Sequence, residues 1–165
     1  MSYLFREGRS SDESQLQALG LISYGQFDDI LTDENRDKLH TVLTSENLYQ
    51  DLLKISKCFV CETDKEIVGM AYLIPKGNPT EIFHADWSYI RMVGVNPKFG
   101  GNGIGKQLMQ MCIDFAKNNN EKIIALHTSE FMYAARSIYE NLGFRQVCEV
   151  APRYGMKYWL YKLEL

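Results

Sequence analysis

The chain has 165 residues, of which 45% are hydrophobic and 24% charged, a balance typical of a globular protein, and we expect residues 1–165 to form a single domain. Its formal net charge of −3 gives no general attraction for phosphate backbones, so we expect no nucleic-acid partner. No apolar run approaches the length of a membrane span, and the first residues lack the apolar segment of a signal peptide. We therefore expect a cytoplasmic protein with no membrane partner.

The first part of the chain predicts one strand followed by helices. The residues YLFRE near the N-terminus are typical of a strand, and residues 10–27 carry Leu16, Leu19 and Ile22 at helical spacing behind serine and aspartate caps. The same spacing of apolar residues recurs in residues 32–56, where we expect one or two helices.

Two strands follow, KCFVCET and EIVGMAYLIP, around a polar turn at residues 63–66. Cys58 and Cys61 form a CxxC pair, a spacing found in metal and redox sites. Positions three apart on a strand point to opposite faces, and no second pair of cysteines or histidines completes a zinc site. We therefore interpret both cysteines as small apolar residues of a strand and expect no metal.

The second half predicts strands alternating with helices. A loop rich in proline and glycine leads to the strand DWSYIRMVGV, and a glycine-rich stretch precedes the helix IGKQLMQMCIDFAKNNN, whose apolar residues share one face. EKIIALHT predicts a strand buried on both faces, and SEFMYAARSIYENLG predicts a helix that ends at Gly143. FRQVCEV and YWLYKLEL predict two closing strands. The apolar final strand would suit a sheet edge, where a second copy of the chain could pair with it as a homodimer.

The stretch NPKFGGNGIGKQL places four glycines within residues 100–105, between a strand and a helix. Glycines there let backbone N–H groups converge, and the first turn of a helix adds unpaired donors and partial positive charge. These features predict a binding site for a phosphate or pyrophosphate, although a turn that serves only geometry is the alternative. Gln107 stands where a P-loop needs serine or threonine, and Lys106 stands where the dinucleotide fingerprint needs its third glycine.

Two motifs carry a resemblance to a known family. VGVNPKFGGNGIGKQLMQ matches an acyl-coenzyme A loop at Val95, Pro97, Phe99, Gly101, Gly103, Ile104 and Gly105. AARSIYENLGF matches a second signature at Ala135, Ile138, Tyr139, Gly143 and Phe144. Both signatures resemble those of the GNAT superfamily of N-acetyltransferases, and the predicted order of elements follows that family along nearly the whole chain.

The resemblance implies a GNAT-like α/β fold. Its central mixed sheet would be mostly antiparallel, with six to seven strands, about four flanking helices and a splayed strand pair that forms the CoA cleft. The implied reaction moves an acetyl group from acetyl-CoA to a primary amine by direct attack in a ternary complex, without a metal. The alternatives are a non-catalytic acyl-CoA sensor on the same fold, a nucleotide switch of the P-loop kind and a purely structural subunit.

The same resemblance implies roles for particular residues. Backbone amides of the loop would bind the diphosphate, and pantetheine would pair like an added strand with the strand before the loop. The N–H of Val93 or Gly94 would stabilise the charged carbonyl oxygen, Tyr139 would give a proton to the leaving thiolate, and Gly94 suits either a β-bulge or close packing. The cofactor-binding residues would be Val93, Gly94, Val95, Gly100, Gly101, Asn102, Gly103, Ile104, Gly105, Lys106 and Tyr139.

The group that deprotonates the amine is open, because Tyr89 stands where many relatives have a glutamate. We expect His84 or Asp86 to take the proton through water, unless the amine arrives neutral. An aromatic and acidic lining would suit a cationic amine. Its candidate residues are Tyr24, Phe27, Asp28, Asp29, His84, Trp87, Tyr89, Tyr154 and Tyr158. A polyamine, an amino acid, an aminoglycoside and a peptide amine all stay open as acceptors.

Overall fold

The computed structural model describes all 165 residues and contains seven strands, five α-helices and two short 3-10 turns. The strands are β1 (Leu4–Glu7), β2 (Lys57–Thr63), β3 (Glu66–Ile74), β4 (Ser88–Val95), β5 (Ile123–Ser129), β6 (Arg145–Arg153) and β7 (Met156–Glu164). The helices are α1 (Glu13–Gly25), α2 (Asp33–Leu43), α3 (Leu48–Ile55), α4 (Ile104–Asn118) and α5 (Tyr133–Asn141). No helix combines the length and the apolarity needed to cross a membrane. The predicted mixed α/β class is confirmed, with one helix more than expected.

The strands form one open sheet in the order β1-β2-β3-β4-β5-β7-β6. Every neighbouring pair is antiparallel except β4 and β5, which run parallel and pair at only two positions, Ser88 with Ile124 and Tyr89 with Ala125. Beyond Tyr89 the two strands diverge, so the sheet is split toward their carboxyl ends. This opening, called the β4–β5 gap below, is the splayed strand pair that was predicted.

The sheet separates two apolar layers. One layer, with α1 and α3, includes Leu16 and Leu52, and the other, with α4 and α5, includes Leu108. They are called the α1 layer and the α4 layer below. Cys58 is buried in the α1 layer and Cys61 in the α4 layer, so the interpretation of the CxxC pair as opposite-facing strand residues is confirmed.

Gly69 of β3 lets α4 pack directly against the sheet. A Cβ atom at Gly69 would lie 2.6 Å from Cγ2 of Ile104 and 3.0 Å from Cδ1 of Leu108. Val95, the last residue of β4, pairs with the same glycine. The end of β4 and the start of α4 are therefore held over one residue of β3, and this fixes the position of the loop between them.

β4 contains a bulge shortly before its end. Gly94 is opposite Met70 of β3 and Arg91 is opposite Tyr72, so β4 has two residues where β3 has one. Met92, the first of those two residues, has a φ of +54°, in the left-handed region that few non-glycine residues adopt. The bulge bends β4 and increases its twist at the point where β5 has already diverged.

Gly94 lies just after the bulge and serves close packing, the second of the two roles considered for this glycine. A Cβ atom at Gly94 would lie 3.0 Å from Oγ of Ser23 on α1. The missing side chain lets α1 approach β4 closely. The next residue of the helix, Tyr24, is thereby placed beside the β4–β5 gap.

β7 is an inner strand, so the prediction that YWLYKLEL forms a sheet edge is wrong. It pairs with β5 on one side and β6 on the other. Leu160 is buried in the α1 layer and Tyr161 in the α4 layer, whereas all of β6 except the half-buried Val150 is exposed. The strand with apolar side chains on both faces takes the covered position, and a second copy finds no free edge at β7.

The turn between β6 and β7 reaches over the α1 layer. Tyr154 and Met156 pack against the small cluster of Leu31, Leu39 and Leu43, and Met92 of β4 packs against the same cluster. Because β7 lies beyond β5 in the sheet, the turn and β4 meet this cluster from the two sides of the β4–β5 gap. The turn therefore covers the gap from the α1 side.

A largely buried ion pair fixes the start of α1. Arg6 of β1 donates from Nη1 and Nη2 to the two carboxylate oxygens of Asp12, at 2.8 and 3.0 Å, and from Nε to Glu62 of β2 at 2.8 Å. The Asp12 carboxylate also accepts the backbone N–H of Arg9 at 2.9 Å. The hydrogen bonds from Arg6 outweigh burial and hold the pKa of Asp12 below its ordinary value.

We expect Asp12→Asn to lower the free energy of unfolding at pH 7 by about 3 kcal/mol, because Arg6 then stays buried without a full partner. The folded pKa of Asp12 lies below its unfolded value, so the stabilisation is present above about pH 4 and is lost as the pH falls through the folded pKa. Urea unfolding at pH 7 and at about pH 3 should show a smaller effect at the lower pH. Asp37→Asn on the exposed face of α2 is the control, and an effect of Asp12→Asn that is equal at both pH values would contradict this account.

Candidate active site

The loop between β4 and α4 is shaped by left-handed glycines. Oδ1 of Asn96 accepts the N–H of Lys98 at 3.0 Å, and a 3-10 turn over Pro97–Phe99 follows. Gly101 and Gly103 then have φ values of +78° and +75°, and a Cβ atom at either position would find no atom within 4 Å. Only glycine adopts this conformation at no steric cost, and it leaves open space beside the backbone.

Six consecutive backbone N–H groups in this loop, those of residues 101–106, have no acceptor within the chain. The amides on either side do: Gly100 donates to the carbonyl of Pro97 at 3.1 Å, and Gln107 to that of Gly103 at 3.0 Å. Three of the six donors belong to the first turn of α4, where the helix dipole adds partial positive charge. Such an array of donors binds phosphate oxygens, and the exposed Lys106 adds a cation beside it.

Two other predicted loop residues hold the loop in place. Nδ2 of Asn102 donates to the carbonyl of Phe99 at 2.9 Å, so its side chain closes the turn. A Cβ atom at Gly105 would lie 3.2 Å from Cδ1 of Ile138, so this glycine lets α4 approach α5 closely. The approach places Tyr139, the next residue of α5, close to the start of α4.

Tyr139 and Tyr24 approach each other from opposite layers. Tyr139 is only 6% exposed, and burial raises its pKa, with smaller contributions from Tyr24 and Cys112. Burial also raises the pKa of Tyr24 to about 12, against an opposing effect of Arg91. The two phenols come within electrostatic reach where the β4–β5 gap interrupts the sheet. Both keep their protons at neutral pH.

Arg91 of β4 and His127 of β5 border the gap on the α1 side. Arg91 is opposite Tyr72 and His127 is opposite Leu160, and both partners are buried in the α1 layer. Residues directly opposite in neighbouring strands share a face, so Arg91 and His127 face this layer too. Each lies two residues beyond the last paired row of β4 and β5. They are therefore the first side chains on that face after the strands part.

The imidazole of His127 is uncharged. Burial, followed by the charges of Arg153 and Arg91, lowers the pKa of His127 to about 4. Its Nδ1 is buried with no hydrogen-bond partner, which is rare for a polar atom in a folded protein. Phe83 stacks near the ring with centroids 5.9 Å apart, and Tyr158 meets it edge-on at 5.5 Å. His127 is thus a neutral base with an unpaired nitrogen, and its ring lies between those of Phe83 and Tyr158.

Further aromatic rings extend this wall. Phe131 lies between Phe27, at a centroid distance of 4.8 Å, and Tyr158, at 6.4 Å. Tyr89 is buried beneath Phe83, with centroids 4.4 Å apart, and supports the closed end of the gap. Among the residues predicted for the acceptor, those that border the gap are Tyr24, Phe27, Tyr154 and Tyr158.

His84, Asp86 and Trp87 lie elsewhere, at the closed end of the split. Trp87 packs on His84 with centroids 4.3 Å apart, and Nζ of Lys162 lies 4.8 Å from the Trp87 ring. Lys162 is opposite Ala125, in the last row where β4 and β5 still pair. His84 and Asp86 are exposed. The structure does not bring these residues to the gap, because the parallel strands join at their amino ends.

The acidic lining that was expected is also absent from the gap, and this is a correction. Oδ1 of Asp28 lies 3.0 Å from Nε2 of His40 on α2, and Asp29 is exposed. The charges beside the gap are positive instead. Arg91 is half-buried, Arg153 is exposed on β6, and neither takes part in an ion pair.

The sequence interpretation missed Arg91, His127 and Arg153. Arg91 shares its strand parity with Tyr89, and His127 is the one titratable residue of β5, so both signals are present in the sequence. Which face of each strand borders the gap follows only from the pairing of β4 with β5. Arg153 depends in addition on how the β6–β7 turn folds over the α1 layer.

Comparison with known proteins gives one family. The model of the acetyltransferase (GNAT) family matches residues 22–144. N-acetyltransferase 8B of Homo sapiens is 28% identical over 102 residues, which cover 58% of this chain and 41% of that protein. N-acetylaspartate synthetase of Danio rerio is 42% identical over 60 residues, which cover 36% of this chain and 21% of that protein. The chain thus spans less than half the length of these two curated relatives.

Solved structures share the fold at low identity. PaiA N-acetyltransferase from Thermoplasma acidophilum, in complex with coenzyme A, has a TM-score of 0.80 and 16% identity over the whole of both chains. Ribosomal-protein-alanine N-acetyltransferase from Brucella melitensis has a TM-score of 0.68 and 22% identity over 98% of this chain and 99% of that one. With the family model matching residues 22–144, the chain belongs to the acetyltransferase (GNAT) family.

Proposed function

We propose that the protein is an N-acetyltransferase that moves an acetyl group from acetyl-CoA to a primary amine by direct attack. The observation that carries this proposal is the row of six unpaired N–H groups at residues 101–106, beside a gap where Tyr24 and Tyr139 approach from opposite layers. Curated relatives named as N-acetyltransferases support it, as does coenzyme A in a protein of the same fold.

The loop and β4 fit the two ends of a CoA molecule. Gly101 and Gly103 leave the donor row unobstructed for a diphosphate, and Lys106 lies beside it. From Ile90 onward β4 has no neighbour on its β5 side, so Val93–Val95 offer an open backbone edge with which pantetheine can pair as an added strand. Acetyl-CoA bound in this way supplies the thioester.

The chain itself offers groups for the proton transfers and charge changes. The bulge at Met92 and Val93 takes a backbone N–H out of the strand ladder, and this donor can stabilise the carbonyl oxygen as it gains negative charge. As the N–C bond forms, His127 accepts a proton from the amine; as the C–S bond breaks, Tyr139 donates one to the sulfur. Solvent returns the proton to Tyr139 and removes it from His127.

We propose His127 as the proton acceptor in preference to His84 and Asp86. His127 borders the gap, its Nδ1 is buried without a partner, and its lowered pKa keeps the ring neutral. His84 and Asp86 are exposed at the closed end of the split. A base must come within hydrogen-bond reach of the proton it takes, directly or through one water, and only His127 starts beside the gap.

The role of the glycine loop can be tested by substitution. Gly103→Val should weaken CoA binding at least about tenfold in calorimetric titration, because valine is strained at a φ of +75° and its side chain would stand among the donors. Gly77→Val is the matched control, since Gly77 has a φ of +95°, no atom within 4 Å of its Cβ position and a place outside the loop. Full CoA affinity in folded Gly103→Val would rule out the loop as the CoA site.

The role of Tyr139 as the acid is tested in the same way. Tyr139→Phe should lower kcat by roughly tenfold or more, within the usual range for an acid–base group, and leave the affinity for CoA nearly unchanged. Tyr161→Phe removes another buried phenol from the same layer, one that donates to Glu140 at 3.0 Å, and should keep its kcat. If both variants retain kcat, Tyr139 is a packing residue only.

A substitution of His127 tests its role as the base. His127→Gln should lower kcat by about a hundredfold, with CoA affinity retained, because the variant keeps a polar side chain but has no basic nitrogen. His84→Gln and Asp86→Asn are the controls. If either control loses activity and His127→Gln keeps it, the base is His84 or Asp86 and not His127.

Amine-dependent thiol release separates the enzyme from a non-catalytic acyl-CoA sensor. The assay combines acetyl-CoA with a panel of primary amines and follows free thiol. Release that requires the amine supports the transferase. If CoA binds and no amine of the panel triggers release, the proposed function fails and the sensor takes its place.

A further inference from the structure

Arg91 is a guanidinium without a protein partner beside the gap. It is half-buried and makes no ion pair, whereas Arg6 is matched by Asp12 and Glu62 at 2.8 Å each. Holding a charge partly out of water without a partner costs free energy. A guanidinium presents parallel N–H donors that match the two oxygens of a carboxylate.

Arg91 and His127 occupy equivalent places on the two diverging strands. Both lie two residues beyond the last paired row and both face the α1 layer. The space between them is closed below by the stacked rings of Phe83 and Tyr89 and covered above by the β6–β7 turn. The charge of Arg91 also acts on the imidazole of His127, so the two side chains lie close enough for one small molecule to reach both.

We propose that the acceptor is a small amine that also carries a carboxylate, with the carboxylate held by Arg91 and the amine directed to His127. This inference rests on the proposed N-acetyltransferase function and names the class of its substrate. An amino acid belongs to this class, because its amine and its carboxylate lie close together in one molecule. A polyamine, with positive charge alone, does not.

The groups that face this space carry no compensating negative charge. Burial raises the pKa of Tyr24, of Tyr89 and of Tyr158, so these phenols are neutral at neutral pH. The carboxylate of Asp28 is turned to His40 on α2. The titratable and charged groups around His127 and the adjacent Tyr158 are Tyr24 of α1, Tyr89 and Arg91 of β4, Arg153 of β6 and Tyr154 of the β6–β7 turn. An anion is thus attracted and a polyvalent cation repelled.

A bound carboxylate would also make His127 a stronger base. After burial, the charges of Arg153 and Arg91 lower the pKa of this imidazole. A carboxylate on Arg91 opposes that charge, so the pKa rises from about 4 toward its ordinary value. The low-pH decline of kcat, which reports the enzyme with acceptor bound, should therefore lie at higher pH than that of kcat/KM, which reports the free enzyme. In His127→Gln the declines set by the imidazole should disappear and leave only the decline set by the amine itself.

The test compares amino acids with their carboxamides as acceptors in the amine-dependent thiol assay, using the twenty common amino acids, spermidine and phosphoethanolamine. The carboxamide removes the charge and lowers the pKa of the amine, so more of the amine is neutral and reactive near neutral pH. A preference for the acid is then due to the carboxylate. We expect at least one amino acid to be acetylated with kcat/KM at least about tenfold above its carboxamide, one order of magnitude in specificity.

Variants assign this preference to Arg91. Arg91→Met should raise KM for the amino acid at least about tenfold and change KM for the carboxamide little, with CoA affinity retained. Arg91→Lys should restore part of the preference, because it returns the charge without the paired donors. Arg145→Met, on the exposed edge strand β6, is the control and should match the parent.

Each other outcome contradicts the inference at a different level. Equal rates with amino acids and carboxamides, or faster acetylation of spermidine, overturn the carboxylate requirement and leave the transferase in place. A preference for phosphoethanolamine replaces the carboxylate by a phosphate. A preference that survives Arg91→Met overturns the role of Arg91. If CoA binds and no amine is acetylated, the proposed function fails and the inference with it.

Discussion

The separation of β4 and β5 after two paired rows is the constraint on which the candidate site depends. A continuous sheet would keep the α1 and α4 layers apart, and Tyr24 and Tyr139 could not approach. Because the strands are parallel, no tight turn joins them at the open end, and the chain returns through the glycine loop and α4 instead. The bulge at Met92 then bends β4 and increases its twist. One break in hydrogen bonding thus provides the opening, the free strand edge and the helix start beside it.

Burial sets the protonation of every titratable group that we assign to the chemistry. It raises the pKa of Tyr139 and lowers that of His127, so both groups are neutral at neutral pH although one is a potential acid and the other a potential base. The arginines are then the charges left near the gap, in surroundings where electrostatic interactions are less screened than in water. A negative group on the substrate therefore has a strong effect on the pKa of His127 from across the gap.

The sequence predicts well what local signals determine. The strand KCFVCET coincides with β2, and the glycines at 101 and 103 announce a left-handed turn at the start of a helix because few other residues adopt that backbone. The sequence does not predict positions that depend on contacts between distant segments of the chain. His84 and Asp86 are near β4 in sequence, yet the pairing of Ser88 with β5 puts them at the closed end. The inner position of β7 is likewise decided by burial on both faces and not by its place at the end of the chain.

The two halves of the site are formed by different kinds of groups, main chain in one and side chains in the other. This explains why the cofactor is easier to predict than the acceptor. The candidate CoA site is mostly main chain: donors of residues 101–106 and the edge of β4, which need glycines and a bulge but few particular side chains. The candidate acceptor site is made of side chains, with Arg91 and His127 on two strands and a turn from a third region above them. A sequence motif can identify a main-chain site such as the CoA site because the residues of that site are consecutive. The second kind exists only after β4 and β5 have paired and parted, so a change at Arg91 would alter the acceptor without altering the loop that the motif describes.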